Sequence, residues 1–289
     1  MQGSSLFFEA IGTTWHITTD IPISLIVQKE IQDRIAYFDR TYSRFRDDSI
    51  ITKIAQKKGI YRMPSDAKDL FALYRTLYTV TQGSFTPLIG QLLSDAGYDR
   101  VYSLEQKRVS SVPQWDEVME YKTSDIIVKK PILLDFGAAG KGYLVDLVGE
   151  VLKKHKEDSF CINAGGDILY QTKLDKKLRV GLENPLDTKQ VIGIAEIKEG
   201  SICGSAGNRR KWGSFHHIMN PHTQKSTDHI LATWVVAKSG LIADGLATAL
   251  FFADPMRLTK EFDFAYVILK NDNSIEKSAN FPGEIYLSS

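Results

Sequence analysis

The chain has 289 residues, of which 43% are hydrophobic and 25% are charged, and this composition is typical of a globular protein. The formal net charge is +1 and lysines are spread along the chain, so no surface for nucleic acid is indicated. Because a common domain has about 100–150 residues, we expect residues 1–289 to form one elaborated domain or two intimately packed lobes.

The spacing of apolar residues follows the period of strands in some segments and of helices in others. Strands are predicted at 6–10, 15–19, 125–129, 160–163, 178–182, 191–197, 233–237 and 264–269. Helices are predicted at about 22–42, 49–57, 65–82, 142–155, 240–253 and 255–262. Because the two types of element neither alternate strictly nor separate into two halves, we predict an α+β fold with mixed sheets flanked by helices.

A glycine-rich segment, Asp135-Phe-Gly-Ala-Ala-Gly-Lys-Gly-Tyr-Leu-Val-Asp146, is the most informative feature of the sequence. Leu133-Leu134 before it is typical of the end of a buried strand, and an amphipathic helix is predicted from about Gly142. Glycines at the start of a helix let a ligand approach the backbone, and the free N–H groups there favour an anion.

Two charged residues strengthen the prediction of a phosphate-bearing ligand at this turn. Lys141 would supply a mobile positive charge, and Asp135 would either accept hydrogen bonds from the ligand or hold the turn. A Walker A loop has four residues between its first glycine and its Gly-Lys pair. This segment is not a Walker A loop, because only two residues separate Gly137 from the pair Gly140-Lys141. A tight strand-to-helix connection with a solvated lysine is the alternative interpretation.

A second segment, Ser239–Phe252, is predicted to be a helix that carries Asp244 and Thr248 on one face, a turn apart. A carboxylate and a hydroxyl in this arrangement offer hard oxygen ligands to Mg²⁺ or Ca²⁺. The alternative is an aspartate that interacts with the helix dipole and a threonine that bonds back to its own turn.

Paired histidines precede an Asn-Pro turn in the segment Phe215–Pro221. Alternate residues of an extended segment face opposite ways, so His216 and His217 are not expected to share one metal. We expect one inward histidine, and the residues alone leave open whether it is structural or catalytic.

These segments together resemble the ApbE family of FAD:protein FMN transferases, and the resemblance is collinear over nearly the whole chain. The matching motifs are Ile11–Trp15, Tyr42–Ser49, Thr81–Pro87, Asp135–Asp146, Asn163–Asp167, His217–Pro221 and Ala243–Thr248. The resemblance implies a T-fold-like core within the predicted α+β class.

Residue roles follow from the resemblance, position by position. It implies metal binding by the main-chain carbonyl of Ala138 and by the side chains of Asp244 and Thr248. It implies that His217 and Asp244 serve catalysis. It implies FAD contacts from Tyr42, Ser84, Phe85, Thr86, Asp135, Lys141 and, through its backbone, Ile218.

Four positions depart from the family pattern, and one of them is Gln224, which stands where Thr-Gly is common. Thr86 replaces the usual aspartate, Asn220 replaces the aspartate of a His-Ile-x-Asp-Pro pattern, and Ala55 replaces an asparagine that touches the adenosine half of FAD in many members.

The implied activity is Mg²⁺-dependent transfer of FMN from FAD to a Ser or Thr hydroxyl of an acceptor flavoprotein, with release of AMP. His217 would take the proton from that hydroxyl, and the rate should fall below roughly pH 6.5, the ordinary pKa of histidine. Two alternatives stay open: a Mg²⁺-dependent FAD pyrophosphatase giving FMN and AMP, and a non-catalytic flavin-binding module.

The N-terminus, Met-Gln-Gly-Ser-Ser-Leu-Phe-Phe-Glu, has no basic region and no long apolar core, and no membrane-spanning run follows. We expect a cytoplasmic protein, the alternative being an exported lipoprotein that lacks its signal and lipidated cysteine here. Cys161 and Cys203 lie among apolar or small residues without metal-ligand spacing, so buried free thiols are expected.

Overall fold

The computed structural model describes residues 4–122 and 124–286, which divide into two compact units. The first unit contains the chain up to Ile35, Ala139–Asn208 and the chain from Asp228. The second contains Ala36–Ala138 and Arg209–Thr227. Among the described residues, no helix combines the length and the apolar character that a membrane crossing requires. The grouping of residues 1–289 into one domain or two packed lobes stays a prediction.

An antiparallel eight-stranded sheet forms the centre of the first unit, in the order β1-β2-β6-β7-β10-β15-β16-β17. Its strands are β1 (Ser4–Ala10), β2 (Thr13–Thr19), β6 (Phe160–Ala164), β7 (Asp167–Gln171), β10 (Gly200–Ala206), β15 (Ile230–Ala237), β16 (Ala265–Lys270) and β17 (Ile275–Lys277). A second sheet of this unit has the order β18-β9-β8. Its strands are β8 (Leu178–Asn184), β9 (Asp187–Ile197) and β18 (Gly283–Ile285).

Alternation along the central strands gives the large sheet two different faces. Ile202 of β10 and Trp234 of β15 belong to an apolar cluster with residues of the three-stranded sheet, such as Leu182 and Ile192. Thr233, which precedes Trp234 and faces the opposite side of the sheet, donates a hydrogen bond to the carbonyl of Ala247 at 2.6 Å. Ala247 belongs to helix α7 (Gly240–Ala249). The first unit therefore has three layers, with the small sheet on one face of the large sheet and helices on the other.

Two helices of the first unit cross unusually closely, α6 (Gly140–Lys154) and α7. A Cβ added to Gly142 would overlap the carbonyl of Gly240, and a Cβ added to Gly240 would overlap the carbonyl of Gly142. Only glycine fits at both positions, because the backbones themselves are in contact. The short helix α8 (Pro255–Leu258) follows.

The second unit combines short helices with small sheets. Helix α1 (Leu25–Tyr42) crosses the boundary between the two residue sets, and the helices of the second unit are α2 (Ile50–Gln56), α3 (Ala67–Val80), α4 (Gly90–Asp95) and α5 (Trp115–Val118). A sheet of order β3-β5-β4 is built from β3 (Gly59–Arg62), β4 (Met119–Lys122) and β5 (Asp125–Val128). Two hairpins pair β11 (Lys211–Trp212) with β12 (Phe215–His216), and β13 (Met219–Asn220) with β14 (Lys225–Ser226).

Aromatic rings fill the core of the second unit. The ring of Phe136 meets those of Tyr42, Phe71 and Tyr74 edge-on, at centroid distances of 5.7, 5.3 and 5.2 Å. Such edge-to-face pairs contribute roughly 0.5–1.5 kcal/mol beyond the burial of their area. The residue after Asp135 is therefore anchored in a core, which holds the glycine-rich turn in place.

The predicted α+β class is confirmed, but the prediction of a strand ending at Leu133-Leu134 is wrong. Residues 131–136 form no strand, because the amides of Ile132 and Asp135 pair with two separate partners and not with one neighbouring strand. The amide of Ile132 donates to the carbonyl of Ile54, and that of Asp135 donates to the carbonyl of Pro87. The helix that follows begins at Gly140, two residues earlier than expected.

Candidate active site

Helix α7 presents Asp244 and Thr248 one turn apart, as their spacing predicts. Ser239 caps the helix by accepting a hydrogen bond from the amide of Ile242 at 3.3 Å. Asp244 is 5% exposed, and its Oδ2 accepts a hydrogen bond from the amide of Gly142 at 2.8 Å. The carboxylate is thus held at the N-terminus of α6, where the helix dipole favours negative charge.

Thr248 has a hydroxyl neighbour that the sequence did not reveal. Its Oγ1 lies 3.1 Å from the Oγ of Ser205, which comes from strand β10. The hydroxyl of Thr248 thus has a partner outside its own helix. Three oxygen-bearing side chains, those of Asp244, Thr248 and Ser205, lie along one side of α7.

A second carboxylate, that of Asp146 on α6, binds the start of α7. Its Oδ1 accepts from the amide of Gly240 at 2.7 Å, and its Oδ2 accepts from the amide of Leu241 at 2.8 Å. Burial raises the pKa of Asp146 to about 6, although the two amide hydrogen bonds act in the opposite direction.

Lys141 does not extend into solvent, so the interpretation of a solvated lysine is wrong. Its Nζ forms an ion pair with Asp167, and the side chains are 24% and 2% exposed. Burial alone would lower the pKa of Lys141, but the negative charges of Asp167 and Asp244 outweigh this effect and the pKa is raised. The lysine is therefore charged, and an almost completely buried carboxylate holds it in place.

In the second unit, Asp135 holds the glycine-rich turn. Its Oδ2 is paired with Nε of Arg44, and its Oδ1 accepts from the amide of Gly137 at 2.7 Å. Arg44 is itself buried, and it donates to the carbonyl of Tyr98 at 2.8 Å. Of the two roles expected for Asp135, the structure shows the one that stabilises the turn. Contact with a ligand stays a prediction.

The two histidines differ in their surroundings. His216 is held by the backbone, with its Nε2 2.6 Å from the carbonyl of Thr227 and its Nδ1 accepting from the amide of Ile218. His217 is partly exposed, but its Nδ1 is enclosed and has no hydrogen-bond partner among the described residues. The two rings lie 6.5 Å apart at 73°. Within residues 4–122 and 124–286, no group of three or more His, Cys, Asp or Glu could hold a metal ion.

The surroundings of His217 favour its neutral imidazole. Burial, followed by the nearby charge of Arg210 and the neighbouring His216, lowers the pKa of His217 to about 3. The expectation that this histidine titrates near pH 6.5 is therefore wrong, because a charged imidazole would be poorly solvated next to an arginine.

Several residues expected to contact FAD are packed inside the second unit. Phe85 is 2% exposed and lies 4.9 Å from the ring of Tyr74. Thr86 accepts from the amide of Leu88 at 3.2 Å and caps the short 3₁₀ turn Pro87–Ile89. Tyr42 is 5% exposed, while Ser84 is half-buried. These residues shape the unit from within, and their contacts with FAD stay predictions.

Two backbone groups were also expected to bind the cofactor or the metal. The carbonyl of Ile218 accepts from the amide of Thr227 at 3.1 Å, which fixes its direction. Ala138 is half-buried and is the last residue of the longer segment of the second unit. Metal binding by its carbonyl stays a prediction.

The second unit also contains a pocket of about 220 Å³. It is lined by Arg44, Thr52, Ala55, Gln56, Ser94, Arg100 and Leu133. Arg100 donates to the carbonyl of Arg46 at 3.0 Å and to Oγ1 of Thr52 at 3.1 Å. Ala55, where the family pattern has an adenosine-contacting asparagine, therefore lines a cavity with two cationic side chains.

Comparison with known proteins agrees with this architecture. The model of the ApbE family matches residues 11–265. The FAD:protein FMN transferase of Buchnera aphidicola is 22% identical over 268 residues, which cover 84% of this chain and 77% of the relative. The Haemophilus influenzae protein of the same name is 24% identical over 318 residues, with 96% of this chain and 89% of the relative covered.

Solved structures show the same fold. The ApbE protein of Thermotoga maritima superposes with a TM-score of 0.83 at 21% identity, over 98% of this chain and 100% of that protein. The flavin transferase ApbE of Vibrio cholerae has a TM-score of 0.79 at 19% identity, over 97% and 98% of the two chains.

Proposed function

Because this chain belongs to the ApbE family, whose model matches residues 11–265, we propose that it is an FAD:protein FMN transferase. It transfers FMN from FAD to a Ser or Thr hydroxyl of an acceptor flavoprotein and releases AMP. The names of its curated relatives support the reaction class. The observation that carries the proposal is the placement of Asp244 and Thr248 along one side of α7, beside Ser205.

The oxygen-bearing side chains of α7 and β10 suit Mg²⁺, which prefers hard oxygen ligands and keeps several waters or substrate oxygens. Asp244 and Thr248 would hold the ion, with the Ala138 carbonyl as the further donor that the family resemblance implies. An ion held there would supply positive charge to offset the negative charge of the pyrophosphate of FAD and of the leaving AMP. Because the Gly142 amide holds one oxygen of Asp244, the carboxylate is already oriented.

Lys141 supplies positive charge for the pyrophosphate, and Asp167 determines where that charge lies. A buried lysine would otherwise lose its proton or change its rotamer. The ion pair with Asp167 prevents both. The mobile lysine expected from the sequence is thereby replaced by a pre-organised one, which lowers the ordering cost of binding an anion.

His217 accepts the proton of the acceptor hydroxyl. The hydroxyl oxygen forms a bond to the flavin-side phosphorus, the bond between that phosphorus and the bridging oxygen breaks, and AMP leaves with the electron pair. A histidine with a pKa of about 3 is neutral at pH 7 and can accept a proton in the transition state.

The proposal is tested by incubating the protein with FAD and Mg²⁺, with and without a set of Ser- and Thr-containing acceptor proteins. AMP is measured by chromatography, and covalently bound FMN by its fluorescence in denaturing gels. The wild type should release one AMP per FMN attached. Asp244→Asn should abolish both products, while Asp263→Asn, which changes an exposed aspartate, should leave them unchanged.

The same experiment separates the transferase from its alternatives. AMP and free FMN that form at the same rate without an acceptor identify a pyrophosphatase that uses water as nucleophile. Tight FAD binding without AMP identifies a flavin-binding module. Either result contradicts the proposed transfer.

A further inference from the structure

Helices α6 and α7 bind each other's N-termini through one carboxylate each. Asp244 on α7 accepts from the amide of Gly142 in the first turn of α6. Asp146 on α6 accepts from the amides of Gly240 and Leu241 in the first turn of α7. The first amides of a helix have no partner inside it, so each carboxylate satisfies donors that would otherwise need water. We call this arrangement the reciprocal cap.

The reciprocal cap acts on a crossing that has no free space. The backbones touch at Gly142 and Gly240, where no side chain fits, so the two helices cannot move closer. The three hydrogen bonds prevent them from moving apart or sliding along each other. Asp244 lies one turn after the two amides that bind Asp146. The position of the Asp244 carboxylate therefore depends on Asp146 through the rigid first turn of α7.

Stability alone does not explain the carboxylate of Asp146. Burial raises its pKa to about 6, above the value of about 3.9 expected in the unfolded chain. The folded state therefore binds a proton at Asp146 more tightly than the unfolded state does. The Asp146 carboxyl stabilises the fold below about pH 4, and this stabilisation is lost as the pH rises through about 6. At neutral pH the ionised side chain is kept at a cost in stability, which is common for groups that serve function.

We propose that Asp146 is a positioning residue for the metal-binding carboxylate of Asp244. It acts through α7 and does not touch the metal, FAD or the acceptor. This inference rests on the proposed function, because it gives Asp244 the role of a metal ligand. Partners that orient metal ligands typically account for about 10–100-fold in metal affinity.

The test compares Asp146→Asn with Glu150→Gln, which removes an exposed negative charge one turn later on the same helix. Mn²⁺ replaces Mg²⁺ because it also prefers oxygen ligands, and free Mn²⁺ is measured by electron paramagnetic resonance without FAD. Asp146→Asn should weaken Mn²⁺ binding at least about tenfold, while Glu150→Gln should bind like the wild type. In turnover, Asp146→Asn should raise the KM for Mg²⁺ more than it lowers kcat, whereas a purely structural defect would lower kcat and leave KM unchanged.

A conservative variant keeps the inference testable if Asp146→Asn does not fold. Asp146→Glu retains the charge and both acceptors but moves them by one methylene, so it should also weaken Mn²⁺ binding, measured at a temperature at which circular dichroism shows the variant to be folded. Folded Asp146 variants that bind Mn²⁺ as tightly as the wild type overturn the inference alone. A wild type that binds no Mn²⁺, or an Asp244→Asn variant that binds it normally, overturns the proposed metal site and the inference together.

Discussion

The neutral state of His217 leads to a prediction about pH that differs from ordinary histidine catalysis. At pH 5.5, an imidazole with the usual pKa of about 6.5 is roughly nine-tenths protonated and has lost most of its capacity as a base. With a pKa of about 3, less than about 1% of His217 is protonated at that pH. Its contribution to the rate should therefore stay constant from pH 5 to 8.

The measurement is the ratio of wild-type to His217→Asn transfer rates, because a ratio cancels the titration of all other groups. Single-turnover FMN transfer to a labelled acceptor is followed by flavin fluorescence at saturating FAD and Mg²⁺. Loss of a general base typically costs about 10²–10⁴ in rate, and the ratio should lie in this range at each pH. FAD affinity, measured in parallel, should be nearly equal in the two proteins.

A ratio that falls about tenfold between pH 7.5 and 5.5 would refute the argument, since it would mean that His217 titrates in water-like surroundings. A loss of FAD affinity in proportion to the rate would instead make His217 a binding residue. A fall near pH 6 that both proteins share belongs to a different group, and Asp146, with a pKa of about 6, is the first to examine.

Three further predictions concern binding and stability. Lys141→Ala leaves the buried Asp167 without its partner, so it should lower the free energy of unfolding by about 3–5 kcal/mol in denaturant titrations. The double variant Lys141→Ala/Asp167→Asn should recover most of the stability but not the FAD affinity. Recovery of both would exclude a role for the lysine in binding. Ala55→Asn adds a hydrogen-bonding group to the pocket, and it should tighten FAD binding by about 0.5–1.5 kcal/mol. The affinity for FMN, which lacks adenosine, should not change. Equal gains for both ligands would contradict the assignment of this pocket to the adenosine half of FAD. Gly142→Ala should destabilise the protein by at least about 1–3 kcal/mol through overlap with the facing helix. Gly59→Ala, whose added Cβ would be in ordinary van der Waals contact with Tyr61, should not do so. A stable Gly142→Ala protein would contradict the close crossing.

Local patterns in the sequence were sufficient for the elements that carry the site. The apolar stripe of α7 predicted the helix, and a helix then determines that Asp244 and Thr248 face the same way. The same reasoning failed at Leu133-Leu134, because buried apolar residues look alike in a strand and in an irregular segment. What differs is the set of hydrogen-bond partners, which the local pattern does not contain.

Contacts between distant positions were not predictable. Asp135 meets Arg44, which is 91 positions away, and Asp244 meets the amide of Gly142, which is 102 positions away. Ser205 reaches Thr248 because strand β10 of the central sheet packs against helix α7. The pKa of His217 depends in the same way on which groups surround it, so the ordinary value was the only available expectation.

The first unit is assembled from three separate stretches of chain, and this imposes an order on its biosynthesis. The second unit has all its residues once Thr227 has been made, whereas β15 and β16 of the large sheet come later. β10 is thus synthesised before either of these strands exists. The edge of β10 that will pair with β15 stays exposed while tens of further residues are added. Nascent chains arrested when Thr227 has just left the ribosomal exit tunnel should accordingly protect the second unit from protease, while the large sheet remains open to cleavage and to chaperones.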